Sequence, residues 1–412
     1  MKFGLIGKSL SHSFSREIHA LIASYDYSLL EIDESELSAF FERRDFLGIN
    51  VTIPYKEKAM AYLDEISDEA KKIGAVNTVV NRDGKLFGFN TDFFGMRSLI
   101  NRAGIDCKNK KVLILGSGGT SKTASEVAKS LGAKDVKRVS RKEGAGVVTY
   151  DVAYRVHGDA DVIVNTTPVG MYPCADACPV DLGKFKNLSG VVDAIYNPLC
   201  TNLVLGAKDR GLRAQGGLYM LVAQAVYASA IFQNKEVDER IIDRVFSEIL
   251  KEKRNVVFIG MPSSGKTTIG RKIAKIYKKE FVDTDAVIVE KQKMPISRIF
   301  ETEGEEGFRR IESEVINELS MKNGLVIATG GGAILNDNNA RALRRNGTIV
   351  FLDRSLDNLV ATADRPLSSD VQKLKNLFEK RYDVYKSRAD FTVNANGDIQ
   401  DVVNEVRRLD LL

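Results

Sequence analysis

At 412 residues the chain is long for one hydrophobic core, so two or three domains are expected. Lys and Arg number 60 against 55 Asp and Glu, and a dispersed net charge of +5 argues against a nucleic-acid binder while suiting small anionic ligands. Four cysteines without zinc-site spacing read as free thiols, no apolar run nears membrane-spanning length, and residues 1–6 are too short for a secretory signal, so a cytoplasmic protein without a membrane partner is expected.

The first hundred residues gather small polar side chains at turns: Ser11-His12-Ser13-Phe14-Ser15, Asn50-Val51-Thr52-Ile53-Pro54-Tyr55-Lys56, Gly74-Ala75-Val76-Asn77-Thr78 and Asn90-Thr91-Asp92. Such groups suit a hydroxylated ligand, although each alone also reads as a turn or helix cap. Lys56 is more informative. Hydride delivery to a ketone leaves an alkoxide that an ammonium can protonate, and Asp92 can hold that ammonium in place. The alternative for this pair is a surface salt bridge between two loops.

The apolar run 111–115 then reads as a strand, followed by Gly116-Ser117-Gly118-Gly119-Thr120. Glycines here let the backbone approach a pyrophosphate, while the next helix offers it free N–H groups. A second strand at 136–139 lies about 20 residues beyond the loop, the interval at which such folds read the adenosine ribose. It ends in Ser140-Arg141-Lys142, which offers positive charge to a 2′-phosphate and favours NADP over NAD; a solvated basic turn is the alternative. Further apolar runs at 161–164, 190–192, 255–259, 324–328 and 348–352 alternate with helical periodicity, predicting parallel α/β sheets. A helical stripe at Ile241, Ile242, Val245, Phe246, Ile249 and Leu250, ending in Lys251-Glu252-Lys253-Arg254, places a domain boundary near residue 252.

Five separated motifs make the first 250 residues or so resemble the shikimate dehydrogenase family. They are the Ser11, Asn50 and Gly74 segments above, Gly88-Phe89-Asn90-Thr91-Asp92, and Asn165-Thr166-Thr167-Pro168-Val169-Gly170-Met171. The resemblance implies that Ser13, Ser15, Thr52, Asn77, Asp92, Tyr196 and Gln224 contact shikimate, with Lys56 as the catalytic acid/base beside Asp92. It implies an NADP(H) site along Gly116, Ser117, Gly118, Gly119, Thr120, Ser140, Arg141, Lys142, Ala194 and Gly217. The expected layout is a substrate α/β part at 1–100 and 222–250 and a Rossmann-type NADP part at 101–221, within a dehydrogenase spanning 1–252. Arg16, Ala20 and Ser117 depart from the family's usual proline, asparagine and alanine. His12 and His19 read as structural, because Lys56 already fills the proton-transfer role.

The loop Gly260-Met261-Pro262-Ser263-Ser264-Gly265-Lys266-Thr267, with Thr268 following, matches the Walker A pattern after the strand 255–259. Its backbone N–H groups would cradle ATP phosphates, with Lys266 on the β and γ groups and Thr267 on Mg²⁺. The substrate must be read from Asp283-Thr284-Asp285, Phe308-Arg309-Arg310-Ile311-Glu312 and Gly330-Gly331-Gly332. An acceptor alcohol needs a carboxylate near its hydroxyl, and an acidic acceptor needs an arginine. Taken singly, these residues also read as turns or solvated helix charges.

Together they resemble the shikimate kinase family over 253–412, a P-loop domain with a parallel sheet. The resemblance implies Asp285 as proton acceptor at the shikimate hydroxyl, Arg309 and Arg381 on its carboxylate, and Gly330, Gly331 and Gly332 against the ring. It places Asp283 on the Mg²⁺ side through water and Arg365 on the transferring phosphate. Arg381, Tyr385 and Ala389 show the family's four-residue spacing, whose alternative is an exposed helix face. Ser263 replaces a common glycine, and Ala361-Thr362-Ala363 is sparse in the usual bases. The expected protein is a bifunctional enzyme that reduces 3-dehydroshikimate with NADPH and phosphorylates the product with Mg-ATP. The rivals are a quinate- or NAD-preferring dehydrogenase on the same kinase, and a ligand-sensing protein with one dead half.

Overall fold

The computed structural model describes residues 2–10, 13–360 and 371–412. Ser11, His12 and Arg365 lie outside the described residues. The chain divides into two compact units, Met1–Ile249 and Leu250–Leu412.

In the first unit, a mixed sheet is built from β1 (Phe3–Gly7), β2 (Tyr27–Glu31), β3 (Gly48–Val51), β4 (Glu65–Ile66), β5 (Thr78–Arg82) and β6 (Lys85–Phe89), in the order β2-β1-β3-β5-β6-β4. β3 and β5 are antiparallel, which brings the loop after β3 beside the turn before β5. Ile6, Ile49, Val51 and Val79 share one buried cluster with Phe40, Phe41 and Phe46.

A second sheet of the same unit contains β7 (Lys111–Leu115), β8 (Asp135–Ser140), β9 (Val147–Thr149), β10 (Val162–Asn165), β11 (Gly190–Asp193) and β12 (Arg213–Gln215). Its order is β12-β11-β10-β7-β8-β9 with parallel pairings, the doubly wound arrangement whose order reverses between β7 and β10. Ligands in such sheets sit beyond the strand ends at that reversal. The expected change of part at 221/222 falls inside the helix Leu218–Gln233, which packs against the helix Asp92–Arg102.

The second unit carries the parallel sheet of β13 (Asn255–Ile259), β14 (Glu280–Asp283), β15 (Leu325–Ala328), β16 (Gly347–Asp353) and β17 (Phe391–Asn394), ordered β14-β15-β13-β16-β17. β13 is central, which explains its unbroken apolar run. Val257 and Ile259 face one buried cluster, while Val256 and Phe258 face another. A parallel strand covered on both faces has no polar side to offer. Each such side chain contributes about 1.5–3 kcal/mol on burial, so the strand that aims the Walker loop is firmly held.

Candidate functional sites

In the first unit, Val51 N donates to Asn77 O at 2.8 Å and Val76 N to Lys56 O at 2.9 Å, lacing the Lys56 loop to the Asn77 turn. Asp92 opens the helix Asp92–Arg102, where the amide dipoles favour a carboxylate. Lys56 Nζ donates to Asp92 Oδ2 at 2.6 Å, with the two side chains only 15% and 9% exposed. A pair so withdrawn from water is not an exposed surface bridge.

Asn77 is held from several sides. Its Oδ1 accepts from Thr91 N at 2.7 Å, and its Nδ2 donates to Thr91 Oγ1 at 3.0 Å and Gln224 Oε1 at 3.5 Å. Two residues unassigned from the sequence complete this arrangement. Asn50 accepts from the Tyr27 hydroxyl at 2.7 Å and donates to Thr78 Oγ1 at 3.0 Å. Gly95 permits the helix crossing that delivers Gln224, since a Cβ there would lie 2.7 Å from Met220 O.

Ser13 Oγ donates to Ser15 Oγ at 3.1 Å at the start of the helix Ser15–Ile22, and the Phe14 ring meets that of Tyr196 at 5.3 Å. Burial raises the Tyr196 phenol above its ordinary pKa. Among the described residues no hydrogen bond joins Ser13, Ser15 or Thr52 to the Lys56–Asp92 pair. His19 is fully buried, stacked on Tyr27 at 3.8 Å, and burial lowers its pKa to about 3. It is a neutral packing residue, and Arg16 lies exposed on its helix.

The nucleotide part presents the loop beyond β7. Gly116 has φ of 124°, a conformation that side chains resist, and a Cβ there would lie 2.5 Å from Thr166 Oγ1. A Cβ at Gly118 would meet no atom within 4 Å, so open space lies before the helix Gly119–Ser130. Thr120 lies in the first turn of that helix. Ser140 Oγ donates to Ser117 Oγ at 3.4 Å, and Arg141 and Lys142 stand exposed beyond β8. Gly217 comes so close to Ala194 that a Cβ would lie 2.2 Å from its carbonyl oxygen.

Beneath them, Asp193 is fully buried and accepts from Thr201 Oγ1 at 2.7 Å and from Asn165 Nδ2 and Ile195 N at 3.0 Å. Burial raises its pKa to about 6, against the pull of these three bonds. This network braces the strand end that presents Ala194 and Tyr196. An open glycine-lined helix start beside exposed bases fits a phosphorylated dinucleotide.

In the second unit, Gly260 and Gly265 have φ of 144° and 96°, and Lys266 begins the helix Lys266–Tyr277. Lys266 Nζ donates to Gly260 O at 2.9 Å and Met261 O at 2.8 Å. Thr268 lies in the same helix, and Ser264 Oγ is buried without a hydrogen-bond partner. That orphaned hydroxyl, inside a cradle of backbone amides, fits a nucleotide phosphate. Thr267 Oγ1 donates to Asp283 Oδ2 at 2.7 Å, a hydroxyl and a carboxylate suited to a magnesium ion that keeps most of its waters.

Ser263 adopts φ of 64°, and its Oγ donates to Val360 O at 2.8 Å. The bond offsets a backbone conformation that costs a non-glycine residue about 1–2 kcal/mol. Ser263→Ala should therefore lower the midpoint of kinase heat inactivation more than Ser263→Gly. An alanine variant as stable as the glycine variant would show that the bond contributes nothing.

The acceptor side is tight. A Cβ at Gly330 would lie 2.6 Å from Asp285 Oδ1 and 2.9 Å from Glu312 Oε1, and one at Gly332 would lie 2.3 Å from Arg309 Nη1. None of the three glycines has positive φ, so the triplet serves close approach rather than a left-handed turn. Arg309 Nη1 donates to Glu312 Oε2 at 2.7 Å. Glu312 is 1% exposed, and burial raises its pKa, with Arg309 pulling it down and Asp285 pushing it up. The sequence left Glu312 unassigned, although its place three residues after Arg309 on one helix face was the available clue.

Arg381 is 7% exposed and Tyr385 fully buried, so their row faces inward rather than solvent. Tyr385 also donates from its hydroxyl to Gly331 O. Asp283, Asp285, Arg309, Glu312, Arg381 and the glycine triplet line one cleft of about 890 Å³ with the Walker loop.

Fold and sites together define a two-site nucleotide-dependent enzyme, an oxidoreductase joined to a P-loop phosphotransferase. Residues 5–79 match the family model for the shikimate dehydrogenase substrate binding domain, and residues 262–409 match that for shikimate kinase. A shikimate dehydrogenase (NADP(+)) of Clostridium beijerinckii is 38% identical over 262 residues, covering 60% of this chain and 96% of the relative. Two solved structures are also similar. The chorismate mutase/shikimate 5-dehydrogenase fusion of Clostridium acetobutylicum has 38% identity and a TM-score of 0.56, covering 60% of this chain and 96% of that one. The shikimate 5-dehydrogenase of Thermus thermophilus, in complex with NADP(H) and shikimate, has 31% identity and a TM-score of 0.54, covering 60% and 99%. The chain belongs to the shikimate dehydrogenase family and carries a shikimate kinase domain, making it a bifunctional shikimate-pathway enzyme.

Proposed function

We propose that the first half reduces 3-dehydroshikimate to shikimate, and that the second phosphorylates the hydroxyl so formed, giving shikimate 3-phosphate. NADPH supplies the hydride and Mg-ATP the phosphoryl group when bound. Lys56 donates the proton to the developing alkoxide at C3, and Asp92 holds the ammonium toward it. Asn77, Gln224, Thr52, Ser13, Ser15 and Tyr196 hold the ring hydroxyls and carboxylate. Gly116 to Thr120, Ser140 to Lys142, Ala194 and Gly217 hold the dinucleotide, with Arg141 toward its 2′-phosphate.

In the second half, Asp285 accepts the proton of the attacking hydroxyl, while Arg309 and Arg381 bind the substrate carboxylate. Gly330, Gly331 and Gly332 let the ring approach. Lys266 and the loop amides, including those of Ser263 and Ser264, orient the phosphates, and Thr267 and Asp283 face the magnesium side. Arg365, assigned by resemblance, would stabilise charge on the transferring group.

The observation that carries the reading is the buried 2.6 Å contact between Lys56 and Asp92, brought together from 36 residues apart beside Asn77. The test adds 3-dehydroshikimate and NADPH to the purified chain, then Mg-ATP, identifying products by mass spectrometry. Shikimate followed by shikimate 3-phosphate is expected, with NADPH consumed faster than NADH because Arg141 and Lys142 follow the end of β8. Equal use of NADH, or faster turnover with quinate than with shikimate in reverse, would favour the other dehydrogenase reading. Absence of both reactions in folded protein would favour a binding protein.

A further inference from the structure

The hydrogen bonds behind Asn77 lead back to a residue outside every site assigned above. Tyr27 opens β2, the edge strand of the mixed sheet, and lies across β1 from β3, which carries Asn50. In the parallel registers Phe3 stands beside Tyr27 and Leu5 beside Asn50, so the Tyr27 and Asn50 side chains leave the same face of the sheet. The phenol spans β1 and donates to Asn50 Oδ1 at 2.7 Å.

Chemistry sets the direction of these bonds. Asn50 Nδ2 donates to Asn77 O at 3.2 Å and to Thr78 Oγ1 at 3.0 Å, and a carbonyl can only accept, so the Asn50 amide oxygen faces Tyr27 and the phenol must be the donor. Burial holds that phenol well above its ordinary pKa, so its proton stays. Beyond Asn50, Thr78 Oγ1 lies 3.1 Å from both Asn77 Oδ1 and Thr91 Oγ1, and Thr91 immediately precedes Asp92. Tyr27, Asn50, Asn77, Thr78 and Thr91 are all buried, so bulk water does not replace a bond lost among them. The Tyr27 ring is itself held. His19 stacks on it at 3.8 Å, and His19 belongs to the helix that begins at Ser15. One side chain thus joins the Ser15 helix to the Asn77 turn.

Resting on the reductase reading above, we infer that Tyr27 is a positioning residue for the substrate ring: its hydroxyl, through Asn50, fixes the Asn77 and Thr91 segments against which the ring hydroxyls are held. It acts on binding rather than on proton transfer, because Lys56 and Asp92 keep their own contact.

The test measures steady-state reduction by the full-length chain and by its Tyr27→Phe, Asn50→Ala and doubly substituted variants, with rates normalised to the NADPH sites titrated. Phenylalanine keeps the stack on His19 and removes only the donor. Tyr27→Phe should raise the KM for 3-dehydroshikimate roughly three- to tenfold, the range for one buried hydrogen bond, with kcat held within about twofold. In the Asn50→Ala background the same substitution should raise KM no further. The KM for NADPH and the phosphorylation of added shikimate should stay unchanged. An unaltered KM in Tyr27→Phe would overturn the inference, as would a fall in kcat at constant KM, which marks loss of structure alone. An equal further rise in the Asn50→Ala background would also overturn it, since Tyr27 would then act by another route. Where Asn50→Ala titrates no NADPH site, the KM of Tyr27→Phe decides by itself. If the parent chain reduces no 3-dehydroshikimate, the reductase reading fails and the inference with it.

Discussion

Lys56→Ala should lower 3-dehydroshikimate reduction by roughly 10²- to 10⁴-fold, the range for losing a positioned general acid, while phosphorylation of added shikimate continues. That corresponds to about 3–5 kcal/mol of transition-state stabilisation. The loss should fall in kcat, because the alkoxide that needs the proton does not exist in the ground state. Alanine also leaves Asp92 buried without its ammonium at 2.6 Å, so some loss of stability accompanies the kinetic effect. NADPH binding by the variant separates the two, since the nucleotide part keeps all its own contacts. Intact NADPH binding with unchanged reduction would remove Lys56 from proton transfer.

The elements most legible in the sequence are those whose backbone demands are severe. Gly260 and Gly265 require positive φ around a lysine that starts a helix, and few chains meet that spacing by accident. β13 and β7 were readable because burial on both faces leaves a continuous apolar run. The mixed sheet of the first hundred residues was harder to delimit, because strands such as β2 and β6 expose part of their length and carry no continuous buried run. Single polar residues were ambiguous for a different reason. Glu312 looks like any helix carboxylate until Gly330, from a separate segment after β15, closes over it beside Arg309 of its own helix. Gly95 likewise reads as a tolerated helix glycine, because its need lies in a carbonyl more than a hundred residues away.

Asp285→Asn should lower phosphorylation of shikimate by roughly 10²- to 10⁴-fold and leave reduction intact. Supplied with 3-dehydroshikimate, NADPH and Mg-ATP together, the variant should accumulate shikimate where the parent forms the phosphate ester. Asparagine keeps the shape of a side chain whose Oδ1 would lie 2.6 Å from a Cβ at Gly330, so the glycine wall need not move. What it removes is a charge able to accept the hydroxyl proton. Glu312→Gln provides the contrast, because in the proposed mechanism Glu312 acts on the substrate only through Arg309, which it holds at 2.7 Å. Its loss should appear chiefly as a raised KM for shikimate, with the guanidinium less firmly aimed at the substrate carboxylate. If Asp285→Asn also changed only KM, Asp285 would bind the hydroxyl without taking its proton, and phosphoryl transfer here would rest on positioning by the Walker loop and the arginines alone.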